Sequence, residues 1–352
     1  MRANKPPTIR DVARVAGVSV TTVSFVLSGG PRPVSVTARE KILAAIRELG
    51  FRPNAMARNL ASRQANQIGV VFSNFGHRLV ANPYAGGLLD GILDAGYDLG
   101  LGILIIRGFG DWERDLTPFV GNGRTDGTIL IAPLANDPTS ALFEQLPGER
   151  YVEIAPFLDG RDLQCPTIDV DNAGTIRVGV QHLVELGHRR IAHITGEASQ
   201  QASIDRRAAF LAAVEEFGLE VPPNFVREGS FSSATAGHQT LLESARDLLT
   251  MPGRPTAVLC ANDHIAGELL KLAIHLGVQV PAEMSVVGFD DHPGASLTNP
   301  PLTSLGQPLN EMGRLSLRRL VSLINDQPVE PLHLKVPGTL VIRNSTGPPP
   351  AA

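Results

Sequence analysis

From Gln67 onward the chain alternates short apolar runs with longer amphipathic segments, and this alternation leaves few folds open. The runs Ile68–Phe72, Gly102–Ile106, Thr128–Ile131, Tyr151–Ile154, Thr167–Val170, Ile191–Ile194, Ala257–Cys260 and Ser285–Phe289 are short and largely apolar. Strands that read as continuous apolar runs are buried on both faces, the condition of a parallel sheet covered by helices. Between them, Tyr84–Leu99, Ala173–Leu186, Ile204–Phe217, Ala234–Leu249, His264–Leu276 and Leu309–Ile324 carry apolar residues at helical spacing. The expected core is α/β, with two doubly wound parallel-sheet subdomains and a ligand cleft at the carboxyl ends of their strands. The strand series breaks near Leu158–Pro166, which sets the expected subdomains at 67–164 plus 296–326 and 165–295 plus 327–345, followed by a flexible tail over 346–352. With 352 residues, 43% of them hydrophobic and 19% charged, the chain has ample material for such cores and calls for two or three domains.

The first 66 residues differ in kind. They hold eleven Lys and Arg against three acids, a balance of +8, whereas the rest of the chain carries twenty bases and thirty-two acids. A basic head on an acidic body suggests that the head meets a polyanion. Thr8 and Asp11 have capping-box spacing, and Ile9, Val12, Ala13 and Ala16 recur at helical intervals, so a short helix is expected over Ile9–Ala16. Gly17 stops it, and Ser19 is a good N-cap for a second helix over Val20–Leu27. Val23, Val26 and Leu27 then face a small core, while Val20, Thr21, Phe25 and Ser28 are offered on another stripe. A third helix is expected from Ser35 or Thr37 to Leu49, with Ile42, Leu43 and Ile46 as its apolar stripe and Gly50 as its stop. By geometry alone two short helices make an ordinary surface hairpin. Basic charge, N-terminal position and three-helix size favour a helix-turn-helix DNA-binding headpiece over 1–53.

Other classes find little support. Only Cys165 and Cys260 are present, no Cys or His spacing suits a metal, and no cofactor-binding loop opens a helix. Nine His residues invite an enzyme reading, yet none sits in a nucleophile elbow, so no catalytic residue is assigned. Neither a secretory leader nor a run long enough to span a bilayer is seen, and a cytoplasmic protein without a membrane partner is expected.

The run Thr8-Ile9-Arg10-Asp11-Val12-Ala13, Ala16-Gly17-Val18-Ser19, Thr22-Val23-Ser24, Leu27, Val34-Ser35, Arg39-Glu40-Lys41-Ile42, Leu49-Gly50-Phe51-Arg52-Pro53-Asn54, Ala57-Arg58 and Leu60-Ala61 closely resembles the headpiece of the LacI/GalR family of bacterial transcription regulators. The resemblance continues through His182-Leu183-Val184-Glu185-Leu186-Gly187-His188-Arg189-Arg190-Ile191, Cys260-Ala261-Asn262-Asp263 and Ser285-Val286-Val287-Gly288-Phe289-Asp290-Asp291. It implies a periplasmic-binding-protein-like core behind the all-α headpiece, joined by a hinge helix and linker over 54–66. It further implies a homodimer on a palindromic operator, with Leu60 inserted as a wedge into the minor groove and Asn54, Ala57 and Arg58 against groove and backbone. Thr8, Ser19, Thr22, Ser24 and Arg39 complete the expected DNA-contacting set. The family usually has Arg at the position of Phe25 and Asn at that of Ser28, so an operator unlike the usual half-site is expected.

In the body the resemblance places Arg206, Asn262 and Asp290 as groups binding the hydroxyls of a carbohydrate effector, with Arg207 competing for the role of Arg206. A guanidinium also suits a carboxylate or phosphate. Phe75, Tyr84 and Phe231 are candidate apolar walls, and Asp263 and Asp291 are expected to cap helices. A repressor whose operator affinity is set allosterically by a small effector follows. A solute-binding sensor without DNA activity is the alternative.

Overall fold

The computed structural model describes residues 7–28, 34–52, 64–73, 79–107, 116, 118–135, 137–146, 148–158, 160, 162–232 and 237–351. The expected hinge residues Asn54, Ala57, Arg58 and Leu60, and the aromatic Phe75, lie outside them. The chain divides into two compact units that meet between Ala65 and Asn66.

In the smaller unit lie α1 (Ile9–Ala16), α2 (Val20–Ser28) and α3 (Val36–Leu49). Val12, Ala13, Ala16, Val23, Ile42, Ala45 and Phe51 form its buried core, with Val26, Leu27 and Ile46 packed against it. Leu43 is 39% exposed, contrary to expectation. The stripe of α3 runs through Ile42, Ala45, Ile46 and Leu49, at i, i+3, i+4 and i+7, and position 43 falls beside it.

The larger unit is built on two six-stranded sheets. The first has strand order β11-β5-β4-β3-β1-β2, from β1 (Gln67–Phe72), β2 (Gly102–Arg107), β3 (Gly127–Ile131), β4 (Tyr151–Ile154), β5 (Thr167–Val170) and β11 (His333–Val336). The second has order β12-β10-β9-β8-β6-β7, from β6 (Ile191–Ile194), β7 (Val226–Arg227), β8 (Ala257–Cys260), β9 (Ser285–Asp290), β10 (Thr303–Gly306) and β12 (Thr339–Val341). All pairings are parallel except that of β10 with β12. Helices α4 (Pro83–Leu99), α5 (Thr139–Gln145) and α10 (Leu309–Ile324) belong to the first lobe. Helices α6 (Asn172–Glu185), α7 (Gln201–Glu216), α8 (His238–Thr250) and α9 (Asp263–Leu276) belong to the second.

The lobe boundaries correct the expectation. The chain passes between lobes after Val170, between Gly306 and Leu309, and between Val336 and Thr339. Strand β5 therefore lies in the first sheet and not the second, as does β11, whereas 296–306 belong to the second lobe. The polar stretch near Leu158–Pro166 only connects β4 to β5. The true crossing is a single residue, Asp171, whose carboxylate caps α6 by accepting from the Gly174 amide at 3.0 Å. The first and third crossings touch: the Asp171 amide donates to the Val336 carbonyl at 2.8 Å, and the Gly338 amide donates to Thr175 Oγ1 at 3.1 Å. The expected flexible tail is also corrected at its start. His182 reaches Thr346, and Gly347 is held by Ser285 and His188 at about 3 Å.

Helices α4 and α10 pack backbone to backbone through Gly91 and Gly313. A Cβ on Gly91 would run into the Asn310 carbonyl, and one on Gly313 into the Leu88 carbonyl. Gly91→Ala or Gly313→Ala is expected to lower stability by about 1–3 kcal/mol, because neither backbone can withdraw. Urea denaturation of each variant measures this, and an unchanged midpoint would contradict the close crossing.

His193 is wholly buried in β6, its ring stacked on Phe210 with centroids 4.9 Å apart. Nδ1 lies 2.7 Å from the Leu259 carbonyl, so Nδ1 carries the proton and donates it. Burial pushes its pKa down from 6.5 to about 4. The unfolded chain then takes up a proton between pH 6.5 and 4 that the folded chain does not, which destabilises the fold across that window by about 3 kcal/mol. His193→Leu should flatten this acid limb in melts recorded from pH 7 to 4.

Candidate functional site: a basic three-helix head and a polar interlobe cleft

In the head, local capping orients the exposed residues. The Thr8 amide and hydroxyl both donate to Asp11 Oδ2, at 2.9 and 2.8 Å, fixing the start of α1. These bonds hold the Asp11 carboxyl below its ordinary range. Gly17 ends α1 at φ 68°, in the left-handed region that glycine enters without strain. Ser19 Oγ accepts from the Thr22 amide at 3.1 Å and starts α2. Val23 at 0% exposure anchors α2 to the core, leaving Val20, Thr21 and Ser24 exposed and Phe25 half-buried. Thr8, Ser19 and Arg39 are exposed as well, while Thr22 is half-buried with its hydroxyl 2.8 Å from Ser19 Oγ. Ser28 is the last residue of α2.

A polar cluster with members from both lobes is organised around Arg206, on α7 and only 4% exposed. Its Nε donates to Asn172 Oδ1 at 2.9 Å and its Nη1 to the Ala261 carbonyl at 2.6 Å. The guanidinium stacks 3.6 Å from the Phe289 ring centre, and Nη1 lies 4.0 Å from Asp290 Oδ1. Asp290 ends β9 at φ 114°, a strained conformation for a non-glycine residue, and accepts from Gln307 Nε2 at 2.6 Å. Burial raises its pKa, and burial lowers that of Arg206. Arg207, the competing candidate, is exposed.

Tyr84 sits in the first turn of α4, in the other lobe. Burial raises its hydroxyl pKa, as do the charges of Asp169 and Asp290, while Arg206 opposes them. Phe231 closes another side, 5.8 Å from the Arg206 guanidinium. Its backbone amide donates to Glu197 Oε2, and its ring packs where Gly196 has no side chain.

Asn262 is engaged otherwise than expected. Its Oδ1 caps α9 by accepting from the Ile265 amide at 2.9 Å, and its Nδ2 donates to the Phe231 carbonyl. Neither acid expected to cap a helix does so. Asp263 accepts from Ser304 Oγ at 2.6 Å and from the His292 amide at 3.0 Å, and Asp291 pairs with Arg343 at 2.7 Å. The structure thus brings together Tyr84, Arg206, Phe231 and Asp290, with Asn262 supporting Phe231.

Three members were missed. Asp169 in β5 accepts from Asn172 Nδ2 at 3.2 Å and from Lys335 Nζ at 3.1 Å, so a chain of polar contacts runs Lys335–Asp169–Asn172–Arg206 across the first crossing. An acid inside the run Thr167–Val170 was the available signal for Asp169. Lys335 had none, because β11 is short and alternates polar with apolar residues.

Comparison with known proteins decides the family. The model "Bacterial regulatory proteins, lacI family" matches residues 8–54, and that of a periplasmic-binding-protein-like domain matches 180–346. HTH-type transcriptional regulator CelR of Thermobifida fusca is 32% identical over 348 residues, covering 98% of this chain and 100% of the relative. The chain belongs to the LacI family. The ribose operon repressor of Escherichia coli K12 is 31% identical over 96% of this chain and 99% of its own length. Among solved structures, the Lac repressor dimer bound to operator and the anti-inducer ONPF superimposes with a TM-score of 0.81 at 29% identity, covering 97% of this chain and 100% of that one. These LacI relatives are regulators, and the chain shares both the head and the two-sheet core of that structure. Among the described residues, no helix is long and apolar enough to cross a membrane.

Proposed function

We propose that this LacI-family protein is a homodimeric transcriptional repressor that reads operator DNA with its head and senses a carbohydrate in the cleft at Arg206. The observation carrying this reading is the conjunction, in one chain, of the exposed stripe Val20, Thr21, Ser24 on a basic three-helix head with a buried polar cluster of Arg206, Asp290 and Tyr84 drawn from both lobes of the body. A planar donor fork beside an acceptor-only carboxylate suits paired sugar hydroxyls, and Phe231 supplies an apolar face. The relatives include a CelR complex with cellobiose and a ribose operon repressor, which supports a sugar as the effector class.

Thr8, Ser19, Val20, Thr21, Thr22, Ser24, Phe25, Ser28 and Arg39 are assigned to the operator, together with Asn54, Ala57, Arg58 and Leu60. Basic contacts to phosphate supply the affinity, and the α2 stripe supplies base readout. The two-lobed body, 66–352, carries the sensor. Binding of a palindrome from the protein's own control region and of a scrambled duplex, each from 50 to 200 mM salt, tests this reading. A steep salt slope for both and tighter binding to the palindrome are expected. Equal affinity for the two duplexes would sink operator recognition.

A further inference from the structure

Strands β5 and β11 form one edge of the first sheet, and their two faces differ in chemistry. Ile168 and Val170 are fully buried in the main core, with Leu334 and Val336 packed against it. The alternate residues form a polar ladder, since Thr167 is in register with His333 and Asp169 with Lys335. Each pair is joined, Thr167 Oγ1 to His333 Nδ1 at 3.1 Å and Lys335 Nζ to Asp169 Oδ2 at 3.1 Å. A parallel sheet normally presents apolar residues on both faces. Here the ladder lines a cavity of about 270 Å³.

The opposite wall comes from the other lobe. Gln201 and Asp205 project from the first turns of α7, with Gln201 Nε2 donating to Asp205 Oδ1 at 2.7 Å, while Gln201 Oε1 accepts from the Leu158 amide at 3.2 Å. The third wall comes from Pro156, Leu158, Asp162 and Leu163, apolar but for the one acid. Asp169 belongs both to this cavity and to the chain of contacts that ends at Arg206, so the cavity adjoins the Arg206 cluster.

We propose that this cavity is a second compartment of the effector site and takes one sugar ring, so that the effector is a disaccharide or longer saccharide whose rings lie on either side of Asp169. The proposal rests on the carbohydrate reading of the Arg206 cleft. Its volume lies near the lower end of small-molecule sites, about 300–1,000 Å³, and fits a single ring-sized unit. Acceptors and donors on two walls match ring hydroxyls, and the apolar wall matches the C–H face of a sugar ring. Because the walls come from both lobes, a ring held there joins them.

Calorimetric titration of the full-length protein with glucose, galactose and xylose, each against the α- and β-linked disaccharides built from it, tests the assignment. At least one disaccharide should bind ten times tighter than its component monosaccharide. Asp205→Ala should remove that preference while leaving monosaccharide affinity within twofold, and Leu158→Trp, which fills the cavity from the apolar side, should do the same. Disaccharides binding no tighter than monosaccharides, or both variants weakening the two classes equally, would overturn the second compartment alone. Binding of no sugar in the panel would overturn the carbohydrate reading together with it.

Discussion

Replacing Arg206 with alanine is expected to abolish the response to effector and to cost the core about 3–5 kcal/mol, because the change strips one partner from a buried charged cluster. Asn172 Oδ1 and the Ala261 carbonyl lose their donors, and Asp290 loses the cation that opposes its burial. A fall in melting temperature would follow from structural loss alone, so the informative variant is Arg206→Lys. Lysine keeps the charge but loses the planar fork that spaces separate donors toward Asn172 and Ala261, and it cannot stack flat on Phe289. It should stay folded, with a smaller drop in melting temperature, and still bind effector at least a hundredfold more weakly. Effector binding by Arg206→Lys within threefold of the parent would remove Arg206 from the site.

The second large effect is expected in the head. Phe25 is half-buried on α2, next to exposed Ser24, and can offer a base only apolar contact such as a thymine methyl. Phe25→Arg should introduce a bidentate reader of guanine and shift base preference at that position by about 1–3 kcal/mol, or about 5- to 150-fold. Competition between palindromes that differ at one symmetric position measures the shift. A variant that gains affinity uniformly for every sequence would show that residue 25 faces phosphate instead of base edges.

The core strands were legible because burial on both faces makes them continuous apolar runs, and Ile191–Ile194 and Ala257–Cys260 have the expected ends. The head was legible because capping is written locally, in Thr8 with Asp11 and in Ser19 before α2. What escaped was set by long-range packing. The first lobe crossing is one residue, too short to mark the composition, whereas the polar loop after β4 is long enough to imitate a boundary. Strands β7, β10, β11 and β12 are two to four residues long and draw their definition from neighbours far away in sequence. Arg206 and Asp290 were found through family spacing. Asn172, and Asp169 through it, join them because α6 packs against α7, and Lys335 because β5 and β11 pair across 166 residues.

The coupling of the two functions is the central claim, and it is a free energy between two sites. Fluorescence anisotropy of a labelled palindromic operator, titrated with the full-length protein at fixed salt with and without a saturating saccharide, measures it directly. The operator Kd is expected to change about 5- to 150-fold on adding saccharide, with no such change in the Arg206→Lys variant. An operator Kd unmoved by a saccharide that calorimetry shows to be bound would contradict the coupling.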